Sequence, residues 1–316
     1  MLQKFAPTTQ GAIFLVSGIS IFGFSDNLTL LISNQVSVGQ FHFSRSLIAI
    51  LMVIGLGRIF RLSVVPKYWT PIFIRTFFMV ISMILYFGVM PMMPIAEAGA
   101  GLFTSPIFVL IFSKFFFKEH IGCRRILAVI VGSLGVLMII KPSSEGITIY
   151  QVMPVMAGAC YAIGSIITYR HLREESSLAI LMTFIISIGL CGFIITTLLT
   201  LFPVTNNLIE QAPFLFTGWQ SVDGLFWLYM LAIAAGASLA LSLMTRAYQL
   251  AQTSYAAIFE YAYLISVGFF SWLFWGIVPN LISIFGILMI IFSGIVIVFA
   301  PEKEKDNKND ADIKNR

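Results

Sequence analysis

Long apolar runs, parted by only a few polar or turn-forming residues, fill this chain from Gly11 to Ala300. A helix that crosses a bilayer needs about 20 mostly apolar residues, and a backbone in lipid can satisfy its own hydrogen bonds only as a helix or a closed barrel. Ten runs have that length: residues 11–31, 41–58, 72–91, 95–113, 124–140, 151–169, 177–201, 224–245, 253–275 and 281–300. Two of the separators are short, Pro91 with Pro94 in one case and Gly276, Pro279 and Asn280 in the other. Hydropathy alone therefore allows a division into nine or eleven. Only 10% of the residues are charged, where a soluble domain carries about 25%. The sequence predicts an all-α integral membrane protein.

Charge selects ten spans. Lys and Arg near helix ends collect on the cytoplasmic side. With ten spans and a cytoplasmic N-terminus, Arg45 and Lys141 alone among the 19 Lys and Arg residues face outward. Moving one boundary by a whole helix scrambles that division, so both termini are predicted to be cytoplasmic. The net charge of +5 is then a record of topology, and no basic stretch with interleaved aromatics suggests nucleic acid. Residues 1–10 read as a cytoplasmic N-terminus, with Lys4 ahead of an apolar run too long for a signal peptide and no small-residue cleavage site. Residues 301–316, highly charged and without apolar periodicity, read as a disordered tail.

Nothing in the pattern suggests enzyme chemistry. Cys123, Cys160 and Cys191 are odd in number and lack metal-ligand spacing. His42, His120 and His171 are scattered, no phosphate-cradling glycine loop is present, and no cofactor is expected.

The chain also repeats itself. "FKEHIGCRRILAVIVGSLGVLMIIKP" closes the first half and "FWGIVPNLISIFGILMIIFSGIVIVFAP" the second. Each has a short turn element, an apolar run, a glycine (Gly135 or Gly294) and a final proline (Pro142 or Pro301). The first hinge carries Lys114, Lys118, Arg124 and Arg125, whereas its counterpart carries no basic residue. Loss of charge is expected if five helices per half make the second half enter from the opposite side. The predicted architecture is ten transmembrane helices as two inverted five-helix repeats, residues 11–142 and 151–300, joined by a linker at 143–150 around a central cavity. Such repeats typify alternating-access transporters.

On these residues the chain resembles the drug/metabolite transporter superfamily, and within it the ten-helix EamA-type family. The matching stretches are "FSRSLIA" (43–49), "AGLFTSPIFVLIFSKFFFKEHIGCRRILAVIVGSLGV" (100–136), "ACYAIGSIITYRHL" (159–172) and "FEYAYLI" (259–265). One departure stands out: where the family has Gly-Glu-x-Pro after helix nine, this chain reads Gly276-Ile277-Val278-Pro279. The resemblance implies a secondary transporter in a bacterial cytoplasmic membrane that moves a small polar or amphipathic metabolite (amino-acid-like, vitamin or nucleoside-type), more often by export. Uptake of a vitamin or of S-adenosylmethionine, or a non-transporting sensor of the same fold, are the alternatives. Proton coupling and solute exchange are both compatible with the sequence, which fixes no oligomeric state.

Ionisable residues within spans are costly and read as functional by default. Asp26 and Arg45 each lie about 7 Å from the external ends of helices one and two at roughly 1.5 Å per residue, so they could pair, either as a substrate or proton contact at the outer mouth or as a structural ion pair joining two helices. Glu260 interrupts an apolar run, with Tyr261 beside it and Tyr263 one turn on. The resemblance places this Glu-Tyr position on the central cavity. With Tyr86 they complete the candidate substrate-binding set. Weaker candidates are Glu97 in a short outer link, His42 at the external interface, the hydroxyls of Tyr161, Ser238 and Ser242, and Arg75, whose long side chain can snorkel to the cytoplasmic edge. Pro106 predicts a kink in helix four.

Overall fold

The computed structural model describes residues 6–93, 95–102, 104–116, 118, 121–140, 149–276 and 281–298. Its helices are α1 (Pro7–Thr29), α2 (Val38–Phe60), α3 (Trp69–Val89), α4 (Ile95–Leu102), α5 (Ser105–Phe115), α6 (Cys123–Ile140), α7 (Ile149–His171), α8 (Ser177–Leu201), α9 (Asn206–Gln211), α10 (Pro213–Phe216), α11 (Gly224–Leu250), α12 (Thr253–Ala256), α13 (Ala262–Trp275) and α14 (Leu281–Val298). Among the described residues no strand occurs, and seven helices are long and apolar enough to cross a membrane. They are α1, α2, α3, α7, α8, α11 and the stretch ending in α13. The expected linker at 143–150 falls mostly outside the described residues, as do Ile277–Asn280 of the second hinge and the tail.

Distribution of side chains is inverted relative to a water-soluble domain. Leu51, Ile59 and Phe77 are 72%, 74% and 61% exposed, while Asp26, Arg45 and Glu260 are 1%, 5% and 0% exposed. Apolar surface turned outward and ionisable groups turned inward suit a bundle whose solvent is lipid.

Two expected spans are interrupted, each for a local reason. The fourth run divides after Leu102 and restarts at Ser105, with Pro106 in the first turn of α5. Proline has no N–H to give a preceding carbonyl, and it is tolerated where a helix begins. The ninth run passes from α12 through a tight 3₁₀ segment, Ala257–Tyr261, before α13 resumes. Glu260 sits in that segment, where the change of winding re-aims successive side chains.

The helices pair across the two halves of the sequence. α1 packs on α11 and α3 on α7; α2 meets α8, and α6 meets α14. α4 and α5 lie against α7, and α13 lies against α1. The α2–α8 contact is backbone to backbone. A Cβ on Gly39 would lie 2.7 Å from the Gly192 carbonyl oxygen, so neither position accommodates a side chain at this spacing. Gly39→Val is expected to lower the thermal midpoint of the detergent-solubilised protein, by the equivalent of about 1–3 kcal/mol for an overpacked interface. Gly55→Val, which meets nothing within 4 Å, should leave it unchanged. Equal midpoints for the two variants would show that α2 and α8 do not depend on this contact.

Candidate functional site

Asp26, on α1, is buried with one carboxylate oxygen held by two phenols. Tyr86 of α3 and Tyr263 of α13 each donate to Asp26 Oδ2 at 2.6 Å, and their hydroxyl oxygens are themselves 2.6 Å apart. Three helices distant in sequence thus meet at one oxygen. The phenols bring polar ends to the acid and apolar rings to the core, which is how a carboxylate is accommodated away from water. Asn27 secures the same corner, donating to Gly23 O at 2.9 Å and to Val267 O at 3.3 Å.

Glu260 forms a second, separate cluster. Tyr248 of α11 donates to its Oε1 and Ser105 of α5 to its Oε2. Tyr161 of α7 lies against the same carboxylate, with Ser165 next to the two phenols. The break before α5 puts Ser105 at a helix start, free to aim its hydroxyl across the bundle. Tyr263, one turn on from Glu260 in sequence, belongs to the Asp26 cluster. Both residues face inward, but a full turn separates them and each finds partners at its own level. Tyr261 joins neither cluster. Its hydroxyl lies 3.0 Å from Ser133 Oγ on α6 and its ring covers Gly132.

Arg45 and Asp26 are not paired in this structure: among the described residues no salt bridge joins them. Its Nη2 donates to His42 Nδ1 at 3.1 Å, and its guanidinium lies over the rings of Phe41 and Phe87 at 5.2 and 5.3 Å. Ring faces stabilise a desolvated cation without consuming a carboxylate, which leaves Asp26 to the tyrosines. His42 accordingly is buried rather than interfacial. Arg75 also departs from expectation. It is 6% exposed, turned into the bundle, and donates from Nε to Thr168 Oγ1 at 2.8 Å. The Glu97 side chain lies outside the described residues.

Between these groups lie two chambers. The larger has Arg75, Thr168, Tyr161 and Tyr248 in its wall. The smaller is bordered by Arg45, Ser46 and Ser238. Phe184 of α8 and Leu241 of α11 belong to both walls and partition them. Ser238 thus lies where a cavity hydroxyl was expected, whereas Ser242 is in neither of these walls. Each end of the bundle is clasped by an amide that sequence reading passed over. Gln40 donates to Gln220 O at 2.8 Å and accepts from Gln220 N at 2.9 Å. At the opposite end Gln249 donates to Leu172 O and Glu175 O at 2.8 and 2.7 Å. Glu175 in turn accepts from the backbone N–H groups of Lys67 and Tyr68 at 2.7 and 3.0 Å.

Comparison with known proteins matches residues 9–141 to the EamA-like transporter family. A riboflavin transporter of Brucella anthropi is 27% identical over 60% of this chain, an alignment spanning 62% of that protein, less than two thirds of its length. The pseudopaline exporter CntI of Pseudomonas aeruginosa is 23% identical over 91% of this chain and 95% of its own. An S-adenosylmethionine uptake transporter of Rickettsia felis is 21% identical over 73% of this chain and 74% of its own. A solved crystal structure superimposes with a TM-score of 0.71 over 89% of this chain and 94% of that chain, at 14% identity, a likeness of fold alone. These relatives are transporters by name rather than enzymes. With its helical bundle and its inward-facing ionisable groups, the chain is a helical membrane protein whose residues 9–141 match the EamA-like transporter family and whose named relatives are transporters.

Proposed function

We propose that this protein is a secondary transporter that moves a small polar or amphipathic metabolite across the bacterial cytoplasmic membrane by alternating access. The observation that carries the reading is the pair of chambers between the halves, each with a buried ionisable group in its wall. Helix pairing supports ten spans arranged as two inverted repeats. In order of span, first-with-eighth and sixth-with-third are counterparts, as are fourth-with-sixth and ninth-with-first. The second and seventh spans, and the fifth and tenth, pair with their own equivalents. Such a pattern is what a two-fold relation between halves produces. In this scheme the Asp26 cluster seals one side and the Glu260 cluster the other, and each must part for its chamber to open. Export is favoured because the pseudopaline exporter aligns over nearly the full length of both chains.

Counterflow in proteoliposomes tests the function, with riboflavin, S-adenosylmethionine and pseudopaline as first solutes. Saturable uptake of label driven by trapped unlabelled solute is expected for at least one compound of these classes. Binding without flux across the whole set would favour a sensor. Reporter fusions test the arrangement: Ser63 and Arg173 should read cytoplasmic and Asn206 external. A cytoplasmic reading at Asn206 would remove the ten-span topology.

A further inference from the structure

Arg75 is the buried cation whose hydrogen bonds are incomplete. Its Nε donates to Thr168, yet Nη1 is shielded from solvent and has no hydrogen-bond partner. No salt bridge reaches it among the described residues. Both oxygens of Glu260 are engaged by Ser105 and Tyr248. An arginine placed only to fasten α3 to α7 would direct its fork at α7. This one gives α7 a single N–H, leaves Nη1 without a partner and lies in the wall of the larger chamber. Arg45 offers a contrast, since its charge is spread over two rings and an imidazole.

We propose that Arg75 is an anion subsite, taking the carboxylate of a solute whose body occupies the chamber beyond it. This inference rests on the transporter reading and names the solute class for that same cavity. The guanidinium presents its N–H groups in a planar fork that matches the two oxygens of a carboxylate. A buried charged donor left unmade is costly, so a ligand that completes it gains more than a surface contact would. The remaining wall favours a monocarboxylate over a phosphate. Met79, Met83, Leu181 and Met244 supply apolar, partly polarisable surface, while a doubly charged phosphate would require further cations that this wall does not provide. Thioethers accommodate flat or irregular bodies by rotamer change.

Purified full-length protein in detergent provides the test, with phenylacetate, indole-3-acetate and octanoate as probes, each beside its neutral amide. At least one acid is expected to bind tenfold or more tightly than its amide, read as a concentration-dependent rise in thermal midpoint. Arg75→Gln should abolish that preference and Arg75→Lys should retain part of it. A measurement on the wild-type chain covers the case in which the variants fold poorly. Phenylglyoxal should modify Arg75, located by peptide mass spectrometry, and the preferred acid should slow that modification at least fivefold while its amide does not. Equal binding of every acid and amide, preference that persists in Arg75→Gln, or modification unaffected by the acids would overturn the subsite. Flux without any carboxylate preference would refute the subsite and leave the transporter reading intact. Carboxylate-selective protection of Arg75 in a protein that carries no solute would do the reverse.

Discussion

Glu260→Gln is expected to reach the membrane in normal amounts and to lose at least about tenfold of its counterflow rate, the factor equivalent to one pKa unit of coupling. The carboxylate accepts from Ser105 and Tyr248 through separate oxygens. An amide keeps one acceptor and sets its NH₂ against the other hydroxyl, which can rotate and accept instead. The folded state therefore loses little, whereas the ability to carry charge or a proton is lost entirely. Residual transport should also show a flatter pH profile if Glu260 is the coupling group. Wild-type flux with an unchanged profile would make Glu260 a structural acceptor and nothing more.

The second large effect belongs to Asp26. Asp26→Ala removes the oxygen shared by Tyr86 and Tyr263 and leaves a void between three helices. A thermal shift corresponding to about 1–3 kcal/mol is expected for stranding buried donors, moderated because the two hydroxyls can still bond each other. Flux should fall to background. Tyr86→Phe and Tyr263→Phe should be less than additive when combined, since both act on one atom. Exchanging the charges, Asp26→Arg with Arg45→Asp, should give no rescue, because Arg45 is surrounded by Phe41, Phe87 and His42. Recovery of flux in the exchanged variant would show that the two charges pair during the cycle.

Much of this was legible from residue types. Apolar run length located the helices, Pro106 marked the break before α5, and the rarity of Asp, Glu and Arg in apolar runs singled out Asp26, Arg45 and Glu260. Partner choice was not legible. Depth along a helix suggested that Asp26 could meet Arg45, but depth fixes height and leaves rotation about the axis undetermined. The aromatic neighbours Phe41 and Phe87 decided the matter instead. Arg75 was assigned to the interface because a long side chain near a span end can usually reach water, whereas its Nε is turned inward by Thr168. Tyr248 was overlooked, although the proposed repeat offers a signal: it lies near the end of the eighth span much as Tyr86 lies near the end of the third. Ser105 carries no such mark, since Ser is common in membrane helices, and Gln249 lies just past the eighth apolar run, where a polar residue is ordinary.

The partition formed by Phe184 and Leu241 has an electrical consequence. Two chambers, each with a buried arginine in its wall, meet at this apolar partition, and when either opens to water the membrane voltage falls mainly across the part that stays dry. A solute bearing one net negative charge exchanges up to about 2.3 kcal/mol per 100 mV as it passes. In an inside-negative cell that work is released on leaving and must be supplied on entering. The same wall keeps small ions from following, so a chamber can open on either side without short-circuiting the bilayer.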